Sequence, residues 1–295
     1  MNEFGKYHPI VSFVYYAAVI GFSMVFMNPV CLVISFASGA VYSVMLGGPK
    51  TVRLSPLVLL PLMAAAAVIN PLINHEGMTI LGYLPSGNPL TLESIAYGAA
   101  AAVMLAAVIC QFSCFGRIVT SDKFIYLFGR IIPSLSLVLS MVLRFVPRFR
   151  EQIREVSEAR ACIGKSAADG GIIKRAKNGV KILSVMITRS LENSIETADS
   201  MKSRGFGLRG RTAFSNFRFE KRDARMLALI LFLIAYILPG NTFGGLYFRY
   251  FPDIDGARFS LCSVSTAAAY FLLFALPIIV EIKEELHWKK LKSKI

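Results

Sequence analysis

Residues 154–166 read REVSEARACIGKS, and residues 196–207 read ETADSMKSRGFG. Each places one arginine between small residues: Ala159-Arg160-Ala161 in the first, Ser203-Arg204-Gly205 in the second. Each arginine stands near the C-terminal end of an amphipathic helix pattern, in a long basic stretch between hydrophobic blocks. A guanidinium so placed offers a rigid planar fork to a groove on another protein, because its small neighbours leave the backbone accessible. Two such plugs on one chain predict two docking sites.

The blocks on either side set the fold class. The chain has 295 residues, of which 55% are hydrophobic, and a mean hydropathy of +0.58. Soluble domains hold about 45–50% apolar residues. The expectation is an all-α polytopic membrane protein with about six transmembrane helices, each of roughly 20 residues, and an amphipathic helical module at the cytosolic face. The 22 Phe and 11 Tyr suit helices with interfacial rings. The opening MNEFGKYHPI is polar, and the apolar run after it is long enough to stay as a span, so no cleavable signal peptide is expected.

The expected spans are 10–27, 29–47, 54–74, 94–115, 226–239 and 261–281, with an ambiguous apolar segment at 124–143. Asn28-Pro29 and Asn70-Pro71 are expected to break or kink helices near membrane ends. Three divisions follow: 1–123 as N-terminal transmembrane helices, 124–225 as the module, and 226–295 as C-terminal transmembrane helices with a basic tail.

Charge orients the chain. The net charge is +14, and residues 144–225 hold 19 of the 32 Lys and Arg but 9 of the 18 Asp and Glu. The positive-inside rule places this stretch, the loops at 47–53 and 116–123 and the tail HWKKLKSKI in the cytosol. Attraction to anionic lipid head groups accompanies it. Residues 74–90 carry no Lys or Arg and face outward. Both termini are then cytosolic. Parity forbids a single crossing by 124–143, whose Arg130 and Pro133 suit a helix lying at the membrane face.

Within the module, Phe149, Ile153, Val156 and Ile163 share one side of a helix over 147–163, with Arg154 and Glu158 as an i,i+4 pair and Gly164 as its stop. From residue 172 a helix of about 30 residues runs to Gly205. Its apolar seam is Ala176, Val180, Leu183, Ile187, Leu191, Ser194, Ala198 and Met201. The seam is expected to pack against the other module helices.

Several chemistries are excluded. Residues 159–166, ARACIGKS, end like a phosphate-binding loop, but Ala159 replaces the first glycine and a helix pattern precedes it. Residues 205–210, GFGLRG, spell a dinucleotide fingerprint without a βαβ unit. His8, His75 and His287 are far apart in sequence. The five cysteines suggest neither a zinc site nor a disulfide framework, and Cys110 and Cys114 read as small packing residues. No nucleic-acid motif accompanies the positive charge. The expected spans hold no acidic residue except Glu281, at the very end of the last one, which argues against an ion-coupled carrier. The spans instead carry small residues at 64–67, 98–102, 106–107 and 267–269, which allow close helix contact.

Together with His8-Pro9, NPLINHEG at 70–77, YLPSGNPLTLESIAYG at 83–98 and LRFVPRFREQIREV at 143–156, the arginine motifs resemble those of the transmembrane T component of energy-coupling factor transporters, a family that includes cobalt-transporter Q-type subunits. The resemblance covers most of the chain. It implies a non-catalytic scaffold, without cofactor or metal, in an ATP-driven importer of vitamins or transition-metal ions in a bacterial or archaeal cell membrane. The implied partners are two cytosolic ABC-type ATPase subunits and a membrane-embedded substrate-binding S component, in the lipid bilayer and with no nucleic acid. Carried over, Arg160 and Arg204 become ATPase-docking residues, with Ala159, Ala161, Ser203 and Gly205 as their small flanks. Ala161 and Ser203 depart from an Ala-Arg-Gly pattern by small-for-small changes. The alternative reading is a self-contained permease or channel for a small solute, which would need polar groups at mid-membrane.

Overall fold

The structure is a computed structural model that describes residues 3–83, 88–129, 132–164, 171–208, 217–256 and 260–292. In chain order the helices are α1 Pro9–Val25, α2 Pro29–Gly47, α3 Pro49–Ile73, α4 Leu92–Ile118, α5 Ser121–Gly129, α6 Pro133–Cys162, α7 Ile172–Ser203, α8 Lys221–Thr242 and α9 Leu261–Lys292. Two small antiparallel ribbons, β1 Ile80–Tyr83 with β2 Pro89–Thr91 and β3 Phe248–Arg249 with β4 Asp255–Gly256, lie in the connections. The chain divides into two compact units: Met1–Lys123 with Phe217–Ile295, and Phe124–Asn216.

The first unit is a bundle of α1–α4, α8 and α9. Among the described residues α2, α4, α8 and α9 are long and apolar enough to cross a bilayer, and α1 and Val58–Ile73 are shorter apolar helices. This is an all-α polytopic membrane protein.

Prolines open three of these helices. Pro9, Pro29 and Pro49 stand in the first turn, where a missing N–H costs nothing. Asn28 caps α2 by accepting from Val30 N at 3.0 Å, so Asn28-Pro29 breaks the chain between α1 and α2 as expected. Asn70-Pro71 does not break α3, which continues to Ile73. Pro71 cannot bond the Ala67 carbonyl, and α4 passes that point through Gly98, where a Cβ would meet Ala67 O at 2.9 Å. Small residues make the same close approach elsewhere on α4: Ala100, Ala102, Ala106, Ala107, Cys110 and Cys114 are all buried.

The bundle core is aromatic. Tyr15, Tyr16, Tyr42, Tyr270, Phe4 and Phe274 are its largest fully buried side chains. Phe4 is 0% exposed and lies edge-on to Tyr15 and Tyr16, with ring centroids 5.1 and 6.5 Å away. It reaches that place on a short N-terminal hook, a single 3-10 turn over Phe4–Lys6. Three charged side chains hold the hook. Glu281 of α9 accepts from the backbone N–H groups of Glu3 and Phe4 at 2.8 and 3.3 Å. Asp223 of α8 accepts from His8 N at 3.1 Å and, in a capping box, from Glu220 N at 3.0 Å. Lys123 donates to Gly5 O. Each of these charges is buried and is satisfied by backbone groups, as burial requires.

His8 caps α1, its Nδ1 accepting from Ile10 N at 3.3 Å. Burial holds the imidazole below its ordinary value, opposed by the Asp223 carboxylate and reinforced by Lys123. The folded state therefore binds the His8 proton more weakly than the unfolded chain. Stability from this site is present above pH of about 6.5 and falls as the pH drops through the folded value. His8→Asn keeps a capping acceptor and removes the titration. Its melting temperature is expected to change less between pH 7.5 and 5 than that of the parent, as read by thermal unfolding in detergent.

The second unit centres on α6 and α7. The segment at 124–143 splits between α5 and the start of α6, and Arg130 lies outside the described residues. The helix expected over 147–163 begins earlier, at Pro133, and runs through Pro147. Pro147 deprives one carbonyl of its partner, and the helix absorbs that single loss. The Arg154–Glu158 pair forms, at 2.8 Å. The helices meet where Phe145, Arg148 and Phe149 of α6 face Ser190, Asn193 and Ser194 of α7. The covered side of α6 carries Met141, Phe145, Phe149, Gln152, Val156 and Arg160; that of α7 carries Asn178, Ile182, Met186, Ser190, Asn193, Thr197 and Met201.

This corrects the expected packing of the α7 seam. Val180, Leu183, Ile187 and Leu191 are 65%, 58%, 53% and 63% exposed, and on α6 Ile153 and Ile163 are exposed as well. The small polar side chains Ser190 and Asn193 face the paired rings of Phe145 and Phe149 instead, leaving the apolar stripe of α7 uncovered from Val180 to Leu191, while Ala198 and Met201 farther along it are half-buried.

Candidate docking site

Both arginine motifs end helices, and both helices stop at a glycine of left-handed backbone whose N–H bonds the carbonyl three residues back. At the end of α7, Gly205 adopts φ +78° and its N–H reaches Lys202 O at 2.9 Å, while Phe206 N reaches Met201 O at 3.0 Å. This paired closure satisfies two carbonyls that the helix leaves open, and it needs the left-handed conformation that glycine adopts without strain. At the end of α6, Gly164 adopts φ +71° and its N–H reaches Ala161 O at 2.9 Å. Gly164 and Gly205 are thus the stops expected of them.

The two arginines nevertheless occupy different positions. Arg204 is the capping residue of α7 itself and is exposed, as is Ser203, whose hydroxyl donates to Ser200 O at 2.9 Å. Arg160 lies three residues before the cap of α6, Ile163. Three residues turn a helix by about 300°, and this places Arg160 on the covered side. It is half-buried, and among the described residues its buried Nε has no hydrogen-bond partner. Ala159 and Ala161 beside it are exposed, while Gly205 is half-buried. At 1.5 Å per residue, Arg160 is about 20 Å along α6 from Pro147, and Arg204 about 18 Å along α7 from Glu192.

The two nucleotide-like motifs lack their structural context. A helix, not a strand, precedes Gly164, and Lys165 and Ser166 lie outside the described residues. Gly205 to Leu208 follow α7 as its cap and turn, and Arg209 and Gly210 lie outside the described residues.

Two apolar-bounded units, one of them ending two amphipathic helices in small-flanked arginines, are set in a chain whose residues 8–214 match the family described as CbiQ, cobalt transport protein. This chain belongs to the CbiQ family. The match takes in both arginine motifs. Curated relatives of this CbiQ-family chain carry the name energy-coupling factor transporter transmembrane protein EcfT. That of Lactobacillus helveticus is 35% identical over 112 residues, covering 38% of this chain and 40% of the relative. That of Bacillus selenitireducens is 31% identical over 112 residues, covering 38% and 42%. That of Acidaminococcus fermentans is 33% identical over 111 residues, covering 36% and 41%. The aligned stretch thus spans about two fifths of each relative.

Three features of this CbiQ-family chain escaped the reading of the residues. His8, one of three histidines far apart in sequence, caps α1. The backbone partners of Asp223 and Glu281 lie 215 and 278 residues away in sequence, beyond the reach of any local pattern. The uncovered stripe of α7 had the expected periodicity but not the expected cover. A periodic pattern shows which residues share a face and is silent on what covers it.

Proposed function

We propose that this chain is the transmembrane scaffold, or T component, of an energy-coupling factor importer of vitamins or transition-metal ions. It carries no catalytic residue of its own: partner ATPases hydrolyse ATP, and Arg160 and Arg204 dock them. The observation that carries the reading is the placement of two small-flanked arginines at the glycine-capped ends of two helices that pack against each other. A rigid helix transmits a displacement at its tip along its whole length, here to the region where α6 and α7 meet. Arg160, with an unpaired Nε, and Arg204, exposed, both have donors to give to a carboxylate or to helix C-terminal carbonyls.

The stripe of Val180, Leu183, Ile187 and Leu191 supports the same reading. Contiguous exposed apolar surface marks an interaction site, and a membrane-embedded S component is an apolar partner that the stripe would contact. Residues 1–123 and 226–295 then anchor the scaffold and residues 124–225 form the coupling module. The test is purification of the tagged chain in mild detergent with mass spectrometry of what accompanies it. Two ATPase polypeptides, or two copies of one, and a small membrane protein are expected. Recovery of the chain alone, from cells that express such subunits, counts against the proposal.

In this role the module is cytosolic, and 124–143 does not cross the membrane. Single cysteines at Asp122 and Arg148, in a background without native cysteines, are expected to be protected from an impermeant thiol reagent in right-side-out cells and labelled in inverted vesicles. A cysteine at Met78, which is exposed, is expected to behave oppositely. Labelling of Asp122 and Arg148 positions from opposite sides would make the segment a span.

A further inference from the structure

A groove of about 450 Å³ opens between α8 and α9, within the range of small-molecule sites, about 300–1,000 Å³. Its floor is apolar: Met226 and Leu229 from α8, Leu276, Ile279 and Val280 from α9. One end carries three cations, Arg222, Arg225 and Lys283. The antiparallel course of the helices explains the arrangement. Along α8 the cations precede the apolar residues, along α9 they follow them, and so both sets of charges fall at one end. Arg222 lies over the Tyr7 ring, 4.3 Å from its centroid, and Arg225 donates from Nε to Lys221 O at 3.4 Å. Both side chains are exposed. Two carboxylates also border the groove. Glu3 is engaged by Lys6 at 2.6 Å, which leaves Glu284 against three cations.

We propose that this groove binds an anionic glycerophospholipid of the phosphatidylglycerol class. The cations stand where the apolar part of two membrane helices gives way to their charged ends, which is the height of a lipid phosphate. An acyl chain running from that phosphate lies along Met226, Leu229, Leu276 and Ile279. The hydroxyls of a glycerol head group donate to Glu284, a role that a choline head group has no hydrogen to fill. A helix of another protein in the same groove would bury three guanidinium and ammonium groups against apolar side chains, which is costly without matched carboxylates. A lipid leaves them at the interface.

The full chain, stripped of lipid in dodecyl maltoside, is titrated with phosphatidylglycerol, phosphatidylcholine or glycerol phosphate. Native mass spectrometry counts bound lipid and thermal unfolding reads its effect. One phosphatidylglycerol is expected to remain bound, and to raise the melting temperature, at concentrations where phosphatidylcholine and glycerol phosphate do neither. Removing the three cations, Arg222→Gln with Arg225→Gln and Lys283→Gln, is expected to weaken phosphatidylglycerol on the order of a hundredfold. Lys289→Gln with Lys290→Gln and Lys292→Gln removes the same charge from the end of α9 and is expected to leave binding intact. Ile279→Trp fills the floor with every charge retained; it is expected to lower phosphatidylglycerol retention even if the triple variant fails to fold. Equal retention of the two lipids overturns the proposal, as does an equal loss in the tail variant or competition by glycerol phosphate alone. So does a triple variant that keeps its lipid but loses a protein partner, which would make the groove a protein contact.

Discussion

Reversing both docking arginines, Arg160→Glu with Arg204→Glu, is expected to abolish co-purification of ATPase subunits while the chain still inserts in the membrane. Truncating a desolvated, hydrogen-bonded charge at an interface costs about 2–5 kcal/mol, so each single Arg→Ala change should weaken the complex by about 30-fold or more. Charge reversal adds repulsion to that loss. The helix ends themselves do not depend on these side chains, because Gly164 and Gly205 close them through backbone N–H groups. The fold should therefore tolerate the changes, with a cost of roughly 0.3–1 kcal/mol at each helix end for the lost favourable charge. The two positions should also differ. Arg204 is exposed and available as it stands, whereas Arg160 lies against the helix pair with its Nε buried. Arg204→Ala is expected to act on the complex alone, and Arg160→Ala on the complex and on the α6–α7 pair. Quantitative recovery of ATPase subunits with the doubly reversed chain would remove both residues from the docking role.

The largest effect on stability is expected from the N-terminal hook. Phe4→Ala empties a site with 0% exposure among Tyr7, Tyr15 and Tyr16, and changes of this type cost about 3–5 kcal/mol. Glu281→Ala strands two backbone N–H groups, of Glu3 and Phe4, at about 1–3 kcal/mol for each buried donor left unpaired. The two changes act on one contact, so their sum should exceed the double variant. Thermal unfolding in detergent measures all three. A Phe4→Ala protein that melts with its parent would show that the hook does not clamp the bundle. Because the hook also bonds Asp223 and Lys123, loosening it is expected to free the two points where the chain leaves the bundle and returns to it.

The membrane class was legible because it rests on composition and run length, and both are local properties. Hydrophobic runs near 29–47, 94–115 and 261–281 became α2, α4 and α9, since a backbone in lipid has to satisfy its hydrogen bonds within the segment. Helix stops were legible for a similar reason. Gly164 and Gly205 end their helices through a φ that their neighbours in sequence do not influence. Proline was less transparent. Pro29 opened a helix, while Pro71 and Pro147 sit inside theirs, because one missing N–H is tolerable wherever the surrounding turns are held.

The residues by themselves determined an all-α membrane protein and two small-flanked arginines near glycine-capped helix ends. Composition, periodicity and backbone conformation act over a few residues, and such interactions can be read along a chain. Tertiary structure decided which side of each helix is covered, and so what each arginine faces. Two motifs with the same small-Arg-small reading stand at different distances from their caps, and the helical rotation between those positions buries Arg160 Nε and exposes Arg204. Tertiary structure also joined Glu281 to Phe4 and Asp223 to His8 across almost the whole chain. Those bonds depend on which helix ends arrive together, and no local pattern records that meeting.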